Sequence, residues 1–206
     1  EVENSFINYF SKKTEIYKGM KLIDEKLGGT TPLEVILKFP EKKEDKLEED
    51  DEFEDWGDEE KNDDKYWFTK DKIETISNIH NYLDSLPQIG KVLSFSSIVD
   101  VATQLNNNKP LGTLEMGVLY TKIPENIKTE IVDPYISIKD NEARISLRII
   151  DSQKDLKRNE LIKKINYDLR NEFGLNEDRY KLTGVMILFN NLLQSLFKSQ
   201  ILTLGL

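Results

Sequence analysis

The sequence predicts an α/β protein of α+β type, built on two βαβ units with additional helices and one long acidic insert. Three observations carry that reading. Apolar residues change twice from a two-residue period to a three- or four-residue period and back, in the order strand, helix, strand. The chain has 206 residues of which 38% are apolar, enough to close a core. The net charge of −9 is not spread but gathered in one stretch.

Taken in order, Phe6, Tyr9, Phe10, Tyr17, Met20, Ile23 and Leu27 recur at helical steps, so the segment from Phe6 to Leu27 is expected to be one amphipathic helix with Ser5 as its N-cap. Gly28 and Gly29 end it, because glycine accepts the left-handed conformation common at helix C-termini. Leu33, Val35, Leu37 and Phe39 then alternate with Glu34, Ile36 and Lys38, a strand with one apolar face that stops at Pro40. After the acidic stretch, Ile73, Ile76, Ile79 (or His80) and Leu83 give a helix ended by Pro87, and residues 92–95 a short strand. A parallel crossover brings the two strands into one sheet.

Ile98, Val101, Ala102 and Leu105 are in helical phase, an Asn-rich break with Pro110 follows, and residues 111–131 show weaker periodicity. The second unit begins with Ile145, Leu147 and Ile149 alternating with Arg144, Ser146 and Arg148. Leu161, Ile162, Ile165, Leu169 and Phe173 continue as a helix stopped at Gly174. Residues 180–189, with β-branched Val185 and Ile187, read as a buried strand, and residues 191–206 as an apolar helix without an acidic residue. The expected organisation is therefore an N-terminal helix and first strand (1–40), an acidic flexible insert (41–68), the rest of the first unit with a connecting helix (69–110), a helical connector (111–140), the second unit (141–190) and an apolar helix (191–206). The abrupt helical start and the leucine-rich end suggest that both termini are cuts from a longer chain, with a transmembrane segment beyond residue 206.

Charge and composition exclude several function classes. Residues 41–65 hold 15 acidic and 5 basic side chains, which leaves the remainder close to neutral and without the basic, aromatic-interleaved footprint of a nucleic-acid binder. With so little apolar content, that insert is expected to be solvated and unpacked. No cysteine is present, so disulfides, thiolate metal sites and cysteine nucleophiles are excluded. No stretch has the roughly 18–20 consecutive apolar residues of a spanning helix.

Residues Asn4-Ser5-Phe6-Ile7-Asn8-Tyr9-Phe10, Leu27-Gly28-Gly29-Thr30-Thr31-Pro32-Leu33-Glu34-Val35 and Leu182-Thr183-Gly184 resemble the second large periplasmic loop of bacterial resistance-nodulation-division (RND) exporters, in the hydrophobe-exporter branch distantly related to Patched-like proteins. The resemblance covers nearly the whole chain; the acidic insert departs from it. It implies a periplasmic porter domain of βαβ units of ferredoxin-like type, standing on transmembrane helices of a bacterial inner-membrane protein. It also implies a partner in the other periplasmic loop of the same protein, hydrophobic or amphiphilic small molecules or lipids as substrates, and proton drive through acids of the missing helices. The isolated fragment would then be inactive, and a homo-oligomer is compatible with the family.

The sequence offers no catalytic, cofactor or metal site to set against that. His80 is the sole histidine, and a triad with Asp84 as orienter would need it, but it lies in a helix with no glycine-elbow serine and reads as a surface or half-buried structural residue. One histidine and no cysteine leave too few ligands for zinc. A calcium loop through Glu52, Glu54, Asp55 and Gly57 fails, since Trp56 falls where an oxygen ligand is required and Asp63 closes the loop in place of glutamate. Gly28-Gly29 follows a helix and precedes a strand, the reverse of a phosphate loop. The aromatic stripe of Phe6, Tyr9, Phe10 and Tyr17 is read as core, and no substrate-binding residue is assigned. The competing expectation is an autonomous binding or scaffold domain that recruits a basic partner through the acidic insert.

Overall fold

The computed structural model describes residues 6–40, 67–153 and 156–203. Most of the acidic insert, including the rejected calcium loop, lies outside the described residues, as does Ser5. The elements in chain order are a 3-10 turn at Phe6–Tyr9, α1 (Glu15–Lys26), β1 (Thr31–Lys38), α2 (Lys70–Asp84), β2 (Ile89–Leu93), α3 (Phe95–Leu105), α4 (Thr113–Lys122), α5 (Glu125–Ile131), β3 (Ile136–Ser137), β4 (Glu142–Ile149), α6 (Arg158–Asn171), β5 (Tyr180–Thr183) and α7 (Val185–Thr203).

The strands form one sheet of α+β type in the order β2-β4-β1-β5, with β3 on β4, and every pairing is antiparallel. Because β1 and β2 both run against β4, they are parallel to each other with β4 between them. By the same argument β4 and β5 are parallel with β1 between them. The two predicted βαβ units are thus interleaved, each inserting one strand between the two of the other, and no cleft separates them.

Sequence alternation fixes which face is buried. Across β1 and β4 the register pairs Leu33 with Leu147, Val35 with Ile145 and Leu37 with Ala143, all buried. The intervening positions build the other face from Glu34, Lys38, Glu142 and Arg144. There Glu34 pairs with Arg144, and Lys38 with Glu142 at 3.1 Å. The apolar face belongs to one core cluster with Ile76, Ile79 and Leu83 of α2 and Leu161, Ile165 and Leu169 of α6. These two helices are also tied to each other, since Tyr82 Oη donates to Asp168 and Lys164 pairs with the same carboxylate.

Four expectations need correction. The first helix breaks before residue 15: Thr14 Oγ1 accepts from the Tyr17 amide at 3.3 Å and starts α1 there. In its aromatic stripe Tyr9 is exposed and Phe10 and Tyr17 only half-buried, so these three are not core; the Phe6 side chain lies outside what is described, and Asp24 is the one buried residue of α1. Trp67 and Phe68, placed at the end of the flexible insert, are buried in the core, with Phe68 against Phe95 and Tyr120. Residues 185–189 are not strand. Gly184, at φ +110° and with the Pro32 carbonyl oxygen 3.0 Å from where a Cβ would stand, turns the chain out of β5 into α7. The apolar helix expected from residue 191 therefore begins at Val185.

Candidate functional site

Two concave regions among the described residues bear on function. The larger, of about 450 Å³, lies between α1 and the loop after β4 and is polar, with Lys21, Glu25, Asp151, Ser152 and Arg158 among its walls. Two buried acids, Asp151 in its wall and Asp24 on α1, are already committed. Asp24 accepts from the Thr30 amide (2.9 Å) and hydroxyl (2.7 Å) and from the amides of Asp151 (2.9 Å) and Ser152 (2.7 Å). Burial pushes the Asp24 carboxyl up, but the hydrogen bonds from Ser152, Thr30 and Asp151 outweigh it and hold it below the usual carboxylate range. Asp151 accepts from the Ile7 amide at 3.3 Å and pairs with Arg158. This arrangement clamps the N-terminal segment and α1 to the sheet, which is a structural task.

The second region is a groove of about 320 Å³ between α3 and α5. Its walls are Ile98 and Val101 from α3, Ile131 from α5 and Tyr135 just beyond it, with Ser94 and Ser97 at one end and Glu130 as its one charged lining residue. Val101 and Ile131 are exposed, so the apolar lining faces solvent. Concave surfaces of mostly apolar character with a few polar groups are the usual form of small-molecule sites.

The start of α3 sets the position of one wall. Ser94 is the N-cap: its Oγ accepts from the Ser96 amide at 3.1 Å, and Ser97 Oγ accepts from the Ser94 amide at 3.4 Å. Ser94 Oγ also lies 2.8 Å from His80 Nδ1, and Ser77 Oγ 3.0 Å from Ser96 Oγ, so α2 holds this turn at two points. The opposite wall is braced by Lys128, which pairs with Glu125 at 2.7 Å and sits 4.4 Å from the centre of the Tyr120 ring.

His80 is half-buried, one of the two placements the sequence leaves open. Burial pulls its pKa below 6.5, opposed by the charges of Asp84 and Asp100. Asp84 thus acts on the ring through its charge and is not among its hydrogen-bond partners. Ser94 is completely buried with its hydroxyl engaged by Ser96 and His80, so the pair has the form of a helix cap and not of an exposed nucleophile with its base. Among the described residues no cluster of three or more His, Cys, Asp or Glu is placed to hold a metal ion.

Sequence reasoning missed Ser94 and Asp24. A serine preceding an apolar helical run, with Ser97 three residues on, is a cap signature. Nothing local marks Asp24, whose partners Asp151 and Ser152 lie more than 120 residues away. Compared with known proteins, the chain matches no family model, no curated protein and no solved structure.

Proposed function

We propose that this chain is the periplasmic porter domain of a proton-driven RND-type exporter of hydrophobic or amphiphilic compounds, working with a second periplasmic loop and the transmembrane helices of the same protein. The observation that carries the reading is α7. Its first two turns pack on β1 and β5, but from residue 191 to 203 every residue except Leu193 is exposed, including Leu192, Leu196, Phe197, Ile201 and Leu202. Apolar helices of this kind end up in the core of a larger assembly or in a bilayer. Among the described residues no helix is itself long and apolar enough to cross a membrane.

The interleaved strand order supports the same reading, because a β-α-β-β-α-β sheet with its helices in sequence between parallel strands is the ferredoxin-like arrangement expected of such a domain. In this reading the α3–α5 groove receives the apolar part of the transported molecule, and Glu130 faces its polar or cationic head. The groove is open on one side, which fits a site completed by another part of the protein.

The test is to express the whole reading frame in membranes and compare it with the 206-residue chain. The intact protein should carry apolar runs of about 20 residues outside this segment. It should also export a fluorescent cationic amphiphile in proportion to the proton gradient, while the 206-residue chain binds the probe weakly. A reading frame without such runs, or tight saturable binding by the 206-residue chain alone, would overturn the proposal.

A further inference from the structure

The α3 wall of the groove starts at a hydroxyl whose hydrogen bonds can be counted completely. Ser94 Oγ has one proton to give and two lone pairs. With the His80 imidazole neutral and its proton on Nε2, Nδ1 is an acceptor. Ser94 then donates to Nδ1 across 2.8 Å and accepts from the Ser96 amide, and every partner is satisfied. In the imidazolium both ring nitrogens donate. Nδ1–H now points at the same oxygen, and the Ser94 proton loses its acceptor at a site with no exposure to water. Leaving a buried donor unpaired is costly, and the simplest relief is for Ser94 to turn away from the ring and give up the cap.

We propose that protonation of His80 unfastens the first turn of α3 and thereby shifts the Ile98–Val101 wall of the groove, so that the groove carries an acid-operated latch. What the groove holds rests on the porter reading; the latch itself does not. The charged groups acting on the ring are Asp84 from its own helix and Asp100 from α3. Among the described residues β2, β4 and α6, which also pack on α2, bring no charge to bear on it. Burial of the ring keeps the latch closed at neutral pH. The Ser77–Ser96 hydrogen bond ties the same turn to α2, so opening is felt by both helices.

Because His80 is the sole histidine, its titration is read from a single imidazole signal by NMR. In the 206-residue chain the Ser96 amide, which donates to Ser94 Oγ, should lose about fivefold of its exchange protection, after correction for intrinsic rates, over the same pH range. That factor corresponds to the ~1 kcal/mol typical of an N-cap. Asp100→Asn, at an exposed position, removes one attraction for the imidazolium and should move the His80 and Ser96 midpoints to lower pH together. His80→Asn should flatten the Ser96 profile. Binding of dodecyltrimethylammonium, followed by shifts of the Ile98 and Val101 methyl signals, should differ between pH 7.5 and pH 5 in the wild type. A titrating His80 with unchanged Ser96 protection, or an Asp100→Asn variant that moves one midpoint without the other, would overturn the latch. If the two midpoints move together but the probe binds at neither pH, the latch stands and the porter reading of the groove falls.

Discussion

Helices α2 and α7 both follow a strand of the same sheet and both carry apolar residues at helical spacing, yet they dispose of them in opposite ways. In α2, Ile76, Ile79 and Leu83 are 1%, 0% and 0% exposed, covered by the sheet and by α6. In α7, Leu192, Leu196 and Ile201 are 52%, 50% and 53% exposed. An apolar helical period therefore reports that a face needs a cover, and only the fold reveals whether this chain supplies it. The molecule divides into a closed part, the sheet with α2 and α6, and, among the described residues, a part with open apolar surface, the outer half of α7 and the α3–α5 groove.

The comparison breaks most readily at the centre of the sheet. Ile145 is fully buried on β4 opposite Val35, and Ile145→Ala should cost about 2–5 kcal/mol through lost transfer energy and a residual cavity. For a chain of this size each kcal/mol lowers Tm by about 2–4 °C, so thermal unfolding should show a large drop. A change near zero would mean that the two β-strands do not share the closed core described here.

The next effect comes from Gly29, at φ +101° with the Ile149 carbonyl oxygen only 2.4 Å from where a Cβ would stand. Gly29→Ala forces both a left-handed alanine and a backbone clash, and should destabilise by more than ~1 kcal/mol in urea unfolding. Gly174 offers the contrast. It too has positive φ, but nothing lies within 4 Å of the place its Cβ would take, so alanine there meets only the conformational penalty.

What is legible in the sequence follows the same division. The faces of β1, β4, α2 and α6 are readable because a period of two or of three to four survives wherever one side is buried and the other wet. Residues 185–189 mislead, because a short apolar run with Val185 and Ile187 looks the same as strand or as helix, and the boundary is carried by Gly184 alone. The 3-10 turn, the two-residue β3 and the burial of Trp67 and Phe68 are set by tertiary packing with no period of their own. His80 is readable as an ordinary structural residue, at the surface or half-buried. Its Ser94 partner is not, because a contact across 14 residues between a helix and the next helix's cap depends on how β2 places them.

Acid should separate two groups that hold elements of the body together, His80 on α2 and Asp24 on α1. His80 is held below its ordinary pKa of 6.5 by burial, so the unfolded chain binds the proton more readily. Stability should decline as pH falls below about 6.5 and level off once the folded imidazole is also protonated. Asp24 is held below the ordinary 3.8, so its contribution is present above that pH and is lost as pH falls through the lower, folded value. Urea midpoints measured from pH 8 to pH 2 should show both declines in the wild type, the upper one absent in His80→Asn and the lower one reduced in Asp24→Asn. An upper decline that persists without His80 would assign it elsewhere.

The smallest effect on stability belongs to the part with open apolar surface, and there the physics points the other way. Leu196 and Phe197 are 50% and 39% exposed on the outer half of α7, so replacing them removes little buried area. Glutamine forms helix about as well as leucine, and serine about as well as phenylalanine, and exposed substitutions without a special contact fall within about 0.5 kcal/mol. The double variant Leu196→Gln with Phe197→Ser should therefore unfold within a degree or two of the wild type. Its behaviour at higher concentration should differ much more. A row of exposed apolar side chains seeks a cover, and for the chain alone in solution the available covers are detergent or another copy. Sedimentation should show the wild-type chain self-associating or requiring detergent, and the double variant remaining monomeric without it. If instead the variant lost several degrees of Tm while association was unchanged, the outer half of α7 would have to be packed against the body, and the contrast with α2 would disappear.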